Sequence, residues 1–211
     1  ALALAEASLM AVQRQLYKAD GTSRLPVAIE RAQAAIRLRP DFAAGYTALG
    51  YGLGAIERWS EARAAFGRAL LIDPTDGDAH YWAGRNMYST GDFATAAALA
   101  ERATALNADC IRSPYLATRA AAVFDAGRAE RNAAAAFRRI DDRMRLDPGE
   151  DRARMARGPL LAQLGRLDEA AAALETHPAD GSPLEFYSAA AWAMVGETER
   201  ALDSLERVTA N

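Results

Sequence analysis

The sequence predicts an all-α protein, a right-handed α-solenoid of about six antiparallel helix pairs, on three observations. Alanine dominates an apolar fraction of 51%, while Val and Ile are sparse. Alanine is the best helix former and the β-branched residues favour strands. A frame recurs: "RLRPDFAAGY" (Arg37–Tyr46) and "LIDPTDGDAH" (Leu71–His80) place Pro40 and Pro74 34 residues apart, and "LNADC" follows after the same interval with Ala108 in the proline position. Within each segment apolar residues recur at i, i+3 or i+4, and i+7, the period of a helix.

The elements follow in order. Ala3–Lys18, with Leu4, Leu9, Val12 and Leu16, reads as a first helix, and Leu25–Pro40 as its partner through Ala28, Ala32 and Ala35. The next pair runs from Tyr46 through Leu49-Gly50 and Leu53, then Ala62, Phe66 and Ala69, to Asp73-Pro74. A third keeps this frame from His80 through Ala83-Gly84 and Met87, then Ala96, Ala100 and Ala103. Arg112–Gly127 reads as the first helix of a fourth pair. Its partner, reaching Pro148, is expected to be one turn longer than its counterparts, because Gly127 to Pro148 spans four residues more than Gly91 to Ala108. Glu150–Pro178 and Ser182–Val208 supply the last two pairs. Ser113-Pro114 and Ser182-Pro183 read as a capping hydroxyl before a first-turn proline, and Asp-Pro sequences close helices. The repeats fall at 1–40, 41–74, 75–108, 109–148, 149–180 and 181–211, one array across the chain. Each pair buries its apolar face only by stacking on the next.

The order aromatic, Leu-Gly, large residue, Ala, aromatic, Pro between Tyr46 and Pro74 resembles the tetratricopeptide repeat. That resemblance implies a non-catalytic scaffold for protein–protein interaction, with the first helix of each pair lining a concave groove. Carried onto this chain, the inward positions hold Thr47 and Tyr51, then Tyr81, Arg85 and Tyr88, then Arg112, Tyr115 and Arg119, then Arg152 and Met155. Of these, Tyr51, Tyr81, Arg85, Tyr88, Arg112, Tyr115 and Arg119 form the candidate ligand groove. Tyr and Arg combine large area, few rotors and a guanidinium fork, which suits a peptide or partner domain carrying acidic groups. The competing reading packs the tyrosines between repeats and lets the arginines snorkel to solvent. Chaperone-tail receptors of this family clamp a carboxylate with Lys and Asn; this chain has Thr47, Tyr51, Trp82, Arg112 and Leu116 there, so such tails are not expected ligands. The carboxyl-terminal half also resembles the tetratricopeptide tails of bacterial multidomain signalling proteins of the class III adenylate cyclase or winged-helix regulator type. That likeness implies a cytoplasmic setting, with a periplasmic one also open. A chain opening on Ala1 rather than Met is read as part of a larger protein.

Other chemistry finds little support. A formal net charge of −3 argues against a general nucleic-acid partner. No apolar run approaches the ~20 residues of a membrane span. The single Cys110 excludes an intramolecular disulfide and reads as an inert thiol. "LGYGLGAIERW" (Leu49–Trp59) concentrates Gly50, Gly52 and Gly54, but its spacing is neither dinucleotide fingerprint nor P-loop. A nucleotide-binding enzyme built on Gly50–Gly54 is therefore the lesser alternative, and an unbroken helix is expected there. "DPTDGD" (Asp73–Asp78) lacks the calcium-loop spacing and reads as a turn between repeats. His80 reads as a packed core residue and His177 as a helix-end ring; two distant His and one Cys build no metal set. No enzyme activity, cofactor or metal is expected. A second function class is self-association: Leu202, Leu205 and Val208 would leave an apolar edge on the last pair, open to a homo-oligomer.

Overall fold

The computed structural model describes residues 25–107, 110, 112–147, 149, 151–176 and 185–210. Among them lie eleven helices and no strand. The expected first helix within Ala3–Lys18, His177 and the Ser182-Pro183 cap fall outside the described residues. The chain forms two compact units, Ala1–Asn107 and Ala108–Asn211.

In the amino-terminal unit, α1 (Leu25–Leu38) packs on α2 (Ala43–Ala55), which pairs with α3 (Trp59–Ile72); α4 (Gly77–Ser89) pairs with α5 (Phe93–Leu106). The carboxyl-terminal unit pairs α6 (Arg112–Ala122) with α7 (Ala126–Leu146), α8 (Asp151–Gln163) with α9 (Leu167–Glu175), and α10 (Glu185–Val195) with α11 (Thr198–Ala210). Both units are built around alanine. Ala62, Ala69, Ala96, Ala100, Ala103, Ala133, Ala136 and Ala170 are all fully buried, so the helix axes are held close by methyl groups.

Within a pair the approach is closest at one small residue. A methyl placed on Gly50 would stand 2.8–2.9 Å from carbons of the Phe66 ring, and one on Gly158 would stand 2.7 Å from Leu174 Cγ. Leu49-Gly50 thus packs the pair as the repeat pattern requires. The other two glycines do not break the helix: α2 is continuous to Ala55, and neither Gly52 nor Gly54 has positive φ. Gly52 is buried, whereas a methyl on Gly54 would meet only ordinary contacts at 3.9 Å.

The turns inside pairs share one plan. Gly91, Gly165 and Gly196 adopt φ of 83°, 72° and 97°, the left-handed conformation that glycine enters without cost. Glu57 fills the same place at φ 62°, the one non-glycine residue with positive φ among those described. Asp92 and Asp125 cap the following helices by accepting from the N–H groups of Thr95 and Arg128. At the Glu57 and Gly165 turns, Arg58 and Arg166 grip Glu61 and Glu169 across the first turn. The hydrogen bonds from Arg166 hold the Glu169 carboxyl below the usual carboxylate range. Both pairs are exposed, so solvent screens them and they orient the turn more than they stabilise it.

The fourth pair departs from the sequence-based expectation in four ways. The first helix ends at Ala122, not Gly127, and Gly127 lies inside α7. The turn is one residue shorter: Asp125 N–H bonds to Ala121, four residues back, whereas Asp92 N–H reaches Met87, five back. Starting at the Asp125 cap, α7 has 21 residues against 14 in α5, about two turns more rather than one. Ser113 is not a cap either; α6 begins at Arg112, and the Ser113 hydroxyl donates to Cys110 Sγ at 3.4 Å.

Gly50→Ala should lower stability by about 1–3 kcal/mol, the cost of overpacking against Phe66. Gly54→Ala should raise it by about 0.5–1 kcal/mol through helix propensity, because its methyl has room. Glu57→Gly should also raise it by about 1 kcal/mol by relieving the left-handed residue. Urea denaturation of the three variants checks these signs, and one shared direction for Gly50→Ala and Gly54→Ala would contradict the packing assigned to Gly50.

Candidate functional site

The seven groove candidates fall into two groups, one per unit. In the amino-terminal unit the sequence places Tyr81, Arg85 and Tyr88 at i, i+4 and i+7 on α4, one helical face. Their foundation is a buried ring cluster. Tyr51 of α2 stacks on Trp82 of α4 with centroids 3.9 Å apart, and Tyr81 meets Trp82 edge-on at 4.8 Å. Tyr51 and Tyr81 are buried, so they do not open to a ligand; for these two the packing reading describes the structure. The half-buried Arg85 lays its guanidinium over the Trp82 ring at 5.4 Å, and among the described residues no carboxylate pairs with it. Tyr88 meets Phe93 edge-on at 5.2 Å and stays half-buried.

Polar bonds fix α4 against α2. Asp76 accepts from Ala79 N–H at 2.9 Å as the cap of α4, and its second oxygen accepts from the Thr47 hydroxyl at 3.2 Å. Asp73 accepts from both the N–H and the hydroxyl of Thr75, which hold its carboxyl below the usual range. Asp73 and Asp76 of "DPTDGD" are therefore spent on a turn and a cap. His80, half-buried rather than enclosed, lies 3.1 Å from the Pro74 carbonyl. Trp82, the centre of the cluster, is absent from the sequence-based groove, where it enters only as a clamp position. Its adjacency to Tyr81 and its place one repeat beyond the tiny Ala48 are the available signal.

In the carboxyl-terminal unit, Tyr115 of α6 meets Tyr187 of α10 edge-on at 5.2 Å, and Arg119 lies over Tyr115 at 5.9 Å. Tyr115 also packs on the cluster of Ala136, Ile140 and Leu160. Arg112 is exposed at the start of α6, and Met155 is buried in α8. Tyr187 is a second residue that the repeat pattern does not single out. Burial alone would raise the Cys110 thiol; the hydroxyl and N–H of Ser113 and the Arg112 charge outweigh it and hold the thiol below its usual range.

The glycine stretch offers no anion cradle. Gly50–Gly54 lie in the continuous helix α2, and their N–H groups point along its axis rather than into a common concavity. Among the described residues no three His, Cys, Asp or Glu side chains gather as a metal site. Among them, too, no helix is long and apolar enough to cross a membrane.

Comparison with known proteins supports the fold. No curated protein matches the sequence. The structure is similar to YrrB, described as a TPR protein with an unusual peptide-binding site, at 22% identity and a TM-score of 0.53, covering 85% of this chain and 91% of that one. It is similar to TTC0263, a thermophilic TPR protein of Thermus thermophilus, at 23% identity and a TM-score of 0.56, covering 79% and 89%. A tetratricopeptide repeat protein of Parabacteroides merdae aligns at 14% identity and a TM-score of 0.62, covering 97% and 76%. Residues 57–122, from the left-handed turn of the second pair to the end of α6, match the family model described as Tetratricopeptide repeat.

Proposed function

We propose that the chain is a non-catalytic scaffold whose first-helix faces bind a peptide or partner domain carrying acidic groups. The observation that carries this reading is Arg85. Arg85 is half-buried, its guanidinium carbon lies 5.4 Å from the centre of the Trp82 ring, and it has no carboxylate partner among the described residues. The contact with the ring restricts the fork, which lowers the entropy lost when it takes up a carboxylate. Tyr88, one turn on, supplies an amphipathic edge beside it. In the other unit Arg119 likewise lies over an aromatic ring, that of Tyr115. The tetratricopeptide match over residues 57–122 supports a protein partner, and the peptide-binding site named for YrrB supports a peptide. In this reading the repeats serve a larger bacterial signalling protein, as the resemblance of the carboxyl-terminal half implies.

The test is selection of a random-peptide display library on the whole 211-residue chain. Enriched peptides should carry Asp or Glu. Their affinity should fall about tenfold or more in Arg85→Ala, the cost of losing a charge-assisted hydrogen bond, and should weaken with added salt. Enrichment of neutral peptides, or binding unchanged in Arg85→Ala with the helical content intact, would overturn the assignment.

A further inference from the structure

Within the carboxyl-terminal unit, α7 and α9 both pack on α8 and leave a cleft of about 680 Å³ between them. Each helix lends it one face. Arg154, Arg157 and Leu161 follow one another at i, i+3 and i+7 on α8, and Phe137 and Met144 lie seven residues apart on α7. The α9 side carries the small Ala172 and Ala173, which leave the space between the helices unfilled. The floor is apolar, because Leu161 is buried and Phe137 packs against the same core cluster. Charge on the lining is one-sided: three guanidiniums, of Arg154, Arg157 and Arg166, stand against the single carboxylate of Glu169.

The repeat does not account for the arginines of α8. In the register that aligns Gly158 with Gly50 and Gly84, Arg154 and Arg157 stand where α2 has Tyr46 and Leu49 and α4 has His80 and Ala83. Arg166 is engaged through two parallel bonds to Glu169, at 2.7 and 2.6 Å. Arg157 is engaged through one. Its Nη1 donates to Asp141 at 2.7 Å and its guanidinium carbon lies 5.4 Å from the Phe137 ring centre, while its other N–H groups make no hydrogen bond among the described residues.

We propose that this cleft binds a linear carboxylate, with its headgroup on Arg154 and Arg157 and its chain over Leu161 and Phe137. Side chains three apart on a helix are neighbours, so one carboxylate reaches both guanidiniums. An inorganic anion would use the arginines and leave the apolar floor wet. A neutral chain would cover the floor and leave the arginines without an anion. A chain with an acidic end uses both, and the cleft lies within the roughly 300–1,000 Å³ typical of small-molecule sites.

This site shares no residue with the Arg85 face, and neither result decides the other. Octanoate titrated into the 211-residue chain, followed by calorimetry, should bind saturably at one site. Octan-1-ol should bind at least about tenfold more weakly, for want of a charge-assisted bond. Decanoate should bind about tenfold or more tightly than octanoate, because each buried methylene is worth about fourfold. Arg157→Gln should weaken octanoate by about tenfold or more. Ala172→Trp, at an exposed site on α9, should fill the cleft and abolish binding with helical content unchanged. Arg85→Ala should leave octanoate binding as it is. No saturable binding, an alcohol that binds as well as the acid, an affinity indifferent to both cleft substitutions, or one lost in Arg85→Ala would each overturn the proposal.

Discussion

The structure depends on how closely the two helices of a pair approach. At Gly50 the backbone of α2 lies against the Phe66 ring, and at Gly158 the backbone of α8 lies against Leu174, with no space for a methyl group at either place. Dispersion falls steeply with separation, so a large side chain seated directly on backbone gains contacts that a wider spacing would lose. That proximity favours alanine at the other buried positions, while Phe66 and Leu174 are accommodated by the glycines that face them. It also explains why the second helices keep alanines at the turns that face their partners, such as Ala62 and Ala69 in α3 and Ala96 and Ala103 in α5.

A core of methyl groups offers little shape specificity, so positioning falls to the turns and caps. Gly91, Gly165 and Gly196 reverse the chain through the left-handed region, and caps at Asp76, Asp92 and Asp125 fix where α4, α5 and α7 begin. Asp76 also accepts from Thr47 on α2, which ties neighbouring pairs of the amino-terminal unit. Only on such a framework can an arginine lie over a tryptophan without collapsing into the core. Arg85 depends on Trp82, Trp82 on its stack with Tyr51, and that stack on the spacing of α2 and α4.

Much of this is legible in the residues. The all-α class, the pairing order and the packing role of Gly50 follow from alanine content, helical period and the 34-residue frame. Gly158 carries the same signal, since it precedes Ala170 and Leu174 by the intervals that separate Gly50 from Ala62 and Phe66. The short turn before α7 is harder to place, because Gly127 looks like the punctuation whereas the Asp125 cap sets the start. Which aromatic rings are buried is harder still. Tyr81 and Trp82 are adjacent, and sequence period cannot separate an inward ring from one at the edge of the face when both end up enclosed. The Tyr115–Tyr187 contact joins helices far apart in the chain, and no local pattern encodes it.

The most direct test of the close-approach account is a double-mutant cycle between Gly158 and Leu174, read by denaturant unfolding. If the Leu174 side chain is what a methyl at position 158 would strike, Gly158→Ala should cost at least about 1 kcal/mol less in the Leu174→Ala background than in the parent chain. Costs that add to within about 0.5 kcal/mol would mean that the two helices are not held at the separation described, and would contradict the account.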